Sequence, residues 1–140
     1  MPLHIKNSQN KLTFKNSLRN VILKTDSTFK KNFNYGNRRA NILHCRLRNR
    51  ASSLNYDLFC ANLNDSPSCT CGFVCEDFYH YFFQCPLFTA QRNVLFQELY
   101  WYNNISSHTF KYGDIEIDEK SNFNLFHSIH KFIISSKRFK

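Results

Sequence analysis

The stretch from Cys69 to Cys85, CTCGFVCEDFYHYFFQC, gathers four cysteines and a histidine within seventeen residues. Thiols this concentrated bind a metal, cross-link, or fill a core. Zinc takes four soft or borderline ligands in a tetrahedron, and Cys69, Cys71, His80 and Cys85 offer the spacing C-x-C-x8-H-x4-C. A tight turn at Cys71-Gly72 brings the two early thiolates together, with Gly72 supplying the backbone freedom such a turn needs. Glu76 and Asp77 open a short helix, where negative charge near the N-terminus is favourable. His80 lies one turn in, and Cys85 leaves at the end, just before Pro86. By spacing alone, Cys75 can replace Cys71.

Three other readings compete for the same residues. Six cysteines allow fifteen disulfide pairings, but Cys-x-Cys pairs close on each other only with strain. The opening MPLHIKNSQNKLTF also lacks the continuous apolar core of a secretory signal. The chain is therefore expected inside the cell, in nucleus or cytoplasm, where thiols stay reduced and clustered cysteines more often bind metal. Buried, inert cysteine with a surface histidine is the second alternative, and it is the state expected of Cys45 and Cys60, each on an apolar helix face. A reactive thiol, Cys75 or Cys85 with His80 as base, needs an orienting third group and an oxyanion site. The sequence supplies neither, so no catalytic residue is expected.

At 140 residues the chain fits one domain with a modest core. Fifteen Phe and seven Tyr supply apolar mass, and only three Gly and three Pro argue against a disordered polymer. No run of about eighteen apolar residues exists, so no transmembrane helix and no membrane partner are expected. Charge is uneven: residues 1–50 hold twelve Lys or Arg against one acid, Asp26, whereas residues 51–140 hold seven against nine. The basic half is the candidate polyanion contact, with a merely solvating basic surface as the bland alternative.

Apolar periodicity predicts a mainly α fold. Leu12, Phe14, Leu18, Val21, Ile22 and Leu23 recur at helical spacing, with basic residues between them, and residues 25–37 read as a loop. Residues 38–50 place Ala40, Leu43 and Leu47 on one face of a second helix and scatter five arginines around it. Ser52 or Ser53 can cap a third helix through Leu54, Leu58, Phe59 and Leu63, stopped by Asn64-Asp-Ser-Pro67. Residues 87–102 predict a fourth, with Leu87, Phe88, Val94, Leu95, Leu99 and Tyr100 as its apolar set and Pro86 just inside its start. Residues 103–117 read as a connection with a short strand. Residues 123–139 predict a terminal helix with Phe123, Phe126, Ile129, Ile133 and Ile134 inward. The expected organisation is a basic helix and loop over 1–34, a zinc-binding-like unit over 35–102 with its knuckle at 67–86, and a connection and helix over 103–140.

Taken in order, RRANILHCRLRNRASSLNYDLF, then SPSCTCGFVCEDFYHYFFQCPLF, then Arg92 resemble the C-terminal zinc-binding region that follows the polymerase in reverse transcriptases of LINE-type non-LTR retrotransposons. The family pattern is an arginine-rich Leu-Arg segment, a Ser-x-Leu-Asn helix, a Cys-x-Cys-Gly turn, an acidic pair, a histidine, an aromatic pair and Cys-Pro. Arg46, Leu47, Arg48, Ser53, Leu54, Asn55, Cys69, Cys71, Gly72, Glu76, Asp77, His80, Phe82, Phe83, Cys85 and Pro86 stand at those places. The likeness covers residues 35–100, and the tail FIISSKRF resembles how such proteins end. Cys75 lies outside the family's ligand set. No Tyr-x-Asp-Asp or Phe-x-Asp-Asp signature is present, so the carboxylates that hold catalytic magnesium are missing.

The resemblance implies a non-catalytic, zinc-binding accessory region that grips RNA or DNA and belongs beside a reverse transcriptase body. Expected phosphate contacts are Arg38, Arg39, Arg46, Arg48 and Arg50, with Lys15, Arg19 and Lys24 as a second set. Tyr79, Tyr81 or Phe82 are candidates to stack on an unpaired base, against the competing expectation that Phe82 and Phe83 are core. The alternative is a zinc-stapled structural or protein-interaction domain, or a decayed retroelement fragment with no nucleic-acid role.

Overall fold

The computed structural model describes residues 36–139, and these residues are helical with no strand among them. Helix α1, Arg38–Arg48, starts where Asn37 places its side-chain oxygen 2.8 Å from the Arg39 amide, satisfying a first-turn donor that has no helical partner. Its inward stripe is Ala40, His44 and Leu47, spaced four and three residues apart. It ends with Arg50 in the left-handed region, φ +55°, while the Ala51 amide donates to the Arg46 carbonyl at 2.9 Å. That is the usual C-terminal lock of a helix, here with arginine where glycine is favoured.

Helix α2, Asn55–Cys60, is short and leads into the irregular segment that carries the cysteines. A wide helical turn over His80–Gln84 follows, then a tight turn at Pro86–Phe88, helix α3 at Thr89–Glu98, helix α4 at Ser107–Tyr112 and helix α5 at Glu119–Ser135. Asp118 caps α5 through the Ser121 amide at 2.7 Å, and Ser106 with Thr109 forms a reciprocal capping box on α4. Helix α5 is the spine: α1 and α3 pack on it, and α4 bridges α1 and α5.

The core is aromatic. Tyr81 meets Phe82, Phe88, Phe132 and Phe139 edge-on at centroid distances of 4.8, 5.3, 5.2 and 5.4 Å. Such pairs add about 0.5–1.5 kcal/mol each beyond area burial, and the Tyr81 hydroxyl is paired with Ser136 Oγ at 2.7 Å. The residues that carry the candidate metal ligands are thereby anchored to the helix at the other end of the chain. Among the described residues no helix is long and apolar enough to cross a membrane.

Several sequence expectations change. Cys45 and Cys60 are exposed, because the α1 stripe runs through His44, one residue away, and α2 stops at Cys60. Phe59 and Leu63 also face solvent, since the chain turns back at Asn62, φ +59°. Leu54, not Ser52 or Ser53, occupies the α2 cap position, while Ser52 Oγ receives the Leu54 amide and donates to Asp57 at 2.5 Å. The predicted helix over 87–102 divides into the Pro86–Phe88 turn and α3, and its inward set is Phe88, Arg92, Leu95 and Leu99, leaving Leu87, Val94 and Tyr100 exposed. In place of the strand expected within 103–117 stands α4, fixed by its capping box. The terminal helix begins at Glu119, where Asp118 caps it, and Ile134 is on its outer side. The helix and loop expected over 1–34 lie outside the described residues, as do Lys15, Arg19 and Lys24.

Candidate metal centre

The first pair of thiols is placed by a turn. The Gly72 amide donates to the Cys69 carbonyl at 3.0 Å and the Cys69 amide to the Phe73 carbonyl at 2.8 Å. Gly72 has φ +99°, a region that side chains disfavour. The second pair is placed by the wide turn: Asp77 Oδ1 caps it by accepting the His80 amide at 2.8 Å, and the Cys85 amide reaches back five residues to the His80 carbonyl at 2.7 Å. Residues five apart on an ordinary α-helix point about 140° apart around the axis. Widening the turn, as π-type turns at functional sites do, lets His80 and Cys85 converge.

The Sγ atoms of Cys69, Cys71 and Cys85 and the imidazole of His80 offer four ligand atoms that all lie within 4.8 Å of one another. Cys69 Sγ and Cys85 Sγ are 3.7 Å apart, and Cys71 Sγ is 3.3 Å from His80 Nε2. With zinc–sulfur bonds of about 2.3 Å, a tetrahedral S···S edge is about 3.8 Å, whereas a disulfide is about 2.0 Å. The observed spacing fits a coordination edge. Cys75 is half-buried and lies outside this group.

Electrostatics around the sulfurs suit a cation. Burial raises the Cys69 thiol and pushes the Cys85 thiol up to about 12, while the Phe73 amide donates to Cys71 and lowers it. Cys69 and Cys85 likewise accept the amides of Cys71 and Leu87, so each sulfur receives an N–H from two residues onward. Those donors favour thiolate, and desolvation opposes it; a bound divalent cation supplies the missing positive charge. The His80 ring is buried and stacked on Phe73 at 4.5 Å and 4°, with its Nδ1 lacking a hydrogen-bond partner. Three thiols and an imidazole in this arrangement could hold a metal ion such as zinc.

Two charged side chains brace the centre. Arg92 is buried and donates Nε to the Phe82 carbonyl at 2.8 Å and Nη2 to the Cys85 carbonyl at 2.7 Å, tying α3 to the end of the wide turn; the Cys85 carbonyl also accepts the Phe88 amide at 3.3 Å. Glu76, also buried, is paired with Arg138 at 2.6 Å, and Arg138 donates in addition to the Ser53 carbonyl at 2.9 Å. Arg92 stands in the family-like run but is not given a role by it, and nothing local in the sequence pairs Glu76 with a residue so far along the chain.

The arginines of α1 divide. Arg38, Arg46 and Arg50 are exposed; Arg39, also exposed, gives Nη2 to the Phe139 carbonyl at 2.7 Å. Arg48 is half-buried and donates Nε to the Lys111 carbonyl, so its guanidinium lies in the seam between α1 and α4. Of the candidate stacking residues, Tyr81 and Phe82 are completely buried and are closed to a base, whereas Tyr79 is half exposed. Phe83 is partly buried against Phe110 and Phe96.

A buried histidine pair, absent from the sequence reading, lies between α1 and α5: His44 Nδ1 is 3.0 Å from His130 Nε2, and His44 Nε2 is 2.6 Å from the Phe110 carbonyl. A histidine at the inward position of α1 was the available signal. Comparison of the chain with protein-family models, with curated proteins and with solved structures gave no match.

Proposed function

We propose that the chain is a zinc-stapled helical module that binds nucleic acid through its phosphates and has no catalytic centre of its own. All four ligand places are filled by protein side chains, the closed arrangement of structural zinc sites, so the metal would cross-link the knuckle and leave no open position for a substrate. What supports nucleic-acid binding is the two-sidedness of α1: Ala40, His44 and Leu47 are inward, and Arg38, Arg46 and Arg50 are presented outward on the same eleven-residue helix and its C-terminal turn. The resemblance to the zinc-binding region of LINE-type reverse transcriptases supports the same reading, with RNA or DNA as ligand and a polymerase body as the natural neighbour.

The structural reading is favoured by a different observation. Arg39 and Arg48 direct donors at the carbonyls of Phe139 and Lys111, so part of the basic character of α1 serves the fold. A salt titration separates the two. Binding of the whole chain to a labelled single-stranded RNA should weaken with salt, and replacing both Arg38 and Arg46 by Ala should flatten the log–log slope by about 1.4, from about 0.7 per phosphate lost on a single strand. Zinc-dependent folding without salt-sensitive binding would select the structural reading.

A further inference from the structure

A cleft of about 340 Å³ lies between the first turn of α1 and the second half of α5. Gly36, Asn37 and Ala40 line it from one side and His127, His130 and Ile134 from the other. Its size falls among small-molecule sites, about 300–1,000 Å³, and so does its character, a mostly apolar surface with few polar groups. His127 is exposed and stacked on Phe123 at 6.1 Å and 13°, which adds an aromatic face at the edge. Lys131 also lines the cleft, but its ammonium is already paired with Glu98.

His130 is the informative residue, because the fold dictates where its one hydrogen sits. The Phe110 carbonyl, 2.6 Å from His44 Nε2, can only accept, so His44 has its hydrogen there and a lone pair on Nδ1. His130 Nε2, 3.0 Å away, must donate to that lone pair. Burial, then the positive charges of Arg48 and His127, keep the His130 ring neutral, so this hydrogen is the only one it has. Its Nδ1 is therefore a bare acceptor, on a ring that is 8 % exposed and lines the cleft, and no donor among the described residues reaches it. What completes the ring is an uncharged donor. An ammonium would meet the same positive charges that keep His130 neutral, and a carboxylate brings only further lone pairs.

We propose that this cleft binds a small uncharged aromatic molecule bearing one O–H or N–H donor, of the phenol or indole class, with its ring between Ala40 and Ile134 and its donor on His130 Nδ1. The site is separate from the metal centre and from the outward arginines of α1, and it stands whether or not the chain binds nucleic acid.

The test titrates phenol and toluene into the full chain at pH 7, followed by NMR of its nitrogen-15-labelled amides and imidazoles. The two probes have nearly the same shape, and only phenol carries a donor. Phenol should bind at least about fivefold more tightly, because toluene shields Nδ1 from water without pairing it. The His130 Nδ1 resonance should move from its lone-pair position toward a hydrogen-bonded one with phenol alone. Ile134→Phe fills the cleft from an exposed position away from the histidine pair; it should melt like the wild type and weaken phenol binding by a similar factor. Equal affinity for phenol and toluene, phenol binding untouched by Ile134→Phe, or no binding of either probe at millimolar concentration overturns the proposal. A hydrogen found on His130 Nδ1 in the free chain overturns it as well.

Discussion

Acidification should destabilise the fold through the histidine pair between α1 and α5. The Phe110 carbonyl can only accept, so His44 carries its hydrogen on Nε2 and presents Nδ1 as an acceptor; His130 must then donate from Nε2. Both rings are neutral in this arrangement. Burial first, then the positive charges of Arg48 and His127, lower His130 to about 4. His44 is driven well below its ordinary value by burial, then by Arg48 and His130, against a smaller opposing effect of the Phe110 bond. In the unfolded chain each imidazole titrates near 6.5. Between pH 6.5 and 4 the unfolded state therefore takes up protons that the folded state refuses. Stability is fully present above pH 6.5 and declines as pH falls through that window.

For His130 alone the loss reaches about 3 kcal/mol by pH 4, and His44 adds to it in the same direction. Urea unfolding at pH 7, 6 and 5 reads this directly when wild type and His130→Gln are compared. The glutamine amide can still donate to His44 Nδ1, and acid release of a metal is common to both chains and cancels in the difference. The wild type should lose about 1 kcal/mol more per pH unit than the variant. Parallel pH dependences would refute the assignment of a neutral, proton-refusing pair.

Other predictions concern the braces of the metal centre. Arg92→Met should cost about 3 kcal/mol or more, because it leaves the Phe82 and Cys85 carbonyls without their charged donor; urea unfolding measures it, and competition with a chromophoric chelator should show weaker metal retention. Arg138→Ala strands the buried Glu76 carboxylate and should cost about 2 kcal/mol, reduced from the fully buried case by the partial exposure of Arg138. Gly72→Ala meets no atom within 4 Å, so its cost should be backbone strain alone, about 1–2 kcal/mol by thermal melting.

The sequence made the metal centre legible because its determinants are local. Cys-x-Cys-Gly defines a turn, and Asp77 three residues before His80 defines a cap; both operate within one short segment. What spacing left open was whether Cys71 or Cys75 joins the group, and the turn at Gly72 brings Cys71 to His80. Helical character was equally readable from apolar periodicity. Helix faces were less so, because the inward stripes contain polar residues: His44 on α1, Arg92 on α3, and Asn122 and His130 on α5 are buried through partners supplied by other elements. Periodicity cannot weigh a hydrogen bond from His44 to a residue eighty-six positions away. The same reason hid Arg138, whose partner Glu76 lies sixty-two residues earlier. Pattern alone likewise assigned Cys45 and Cys60 to apolar faces that the neighbouring helices do not cover.

The metal content of the purified chain tests the central claim most directly, measured by elemental analysis on wild type, Cys69→Ser and Cys75→Ser after exhaustive dialysis. One zinc per wild-type chain, lost from Cys69→Ser and kept by Cys75→Ser, is the predicted result. A wild type without metal, or a Cys69→Ser chain that keeps a full equivalent of zinc, would contradict it.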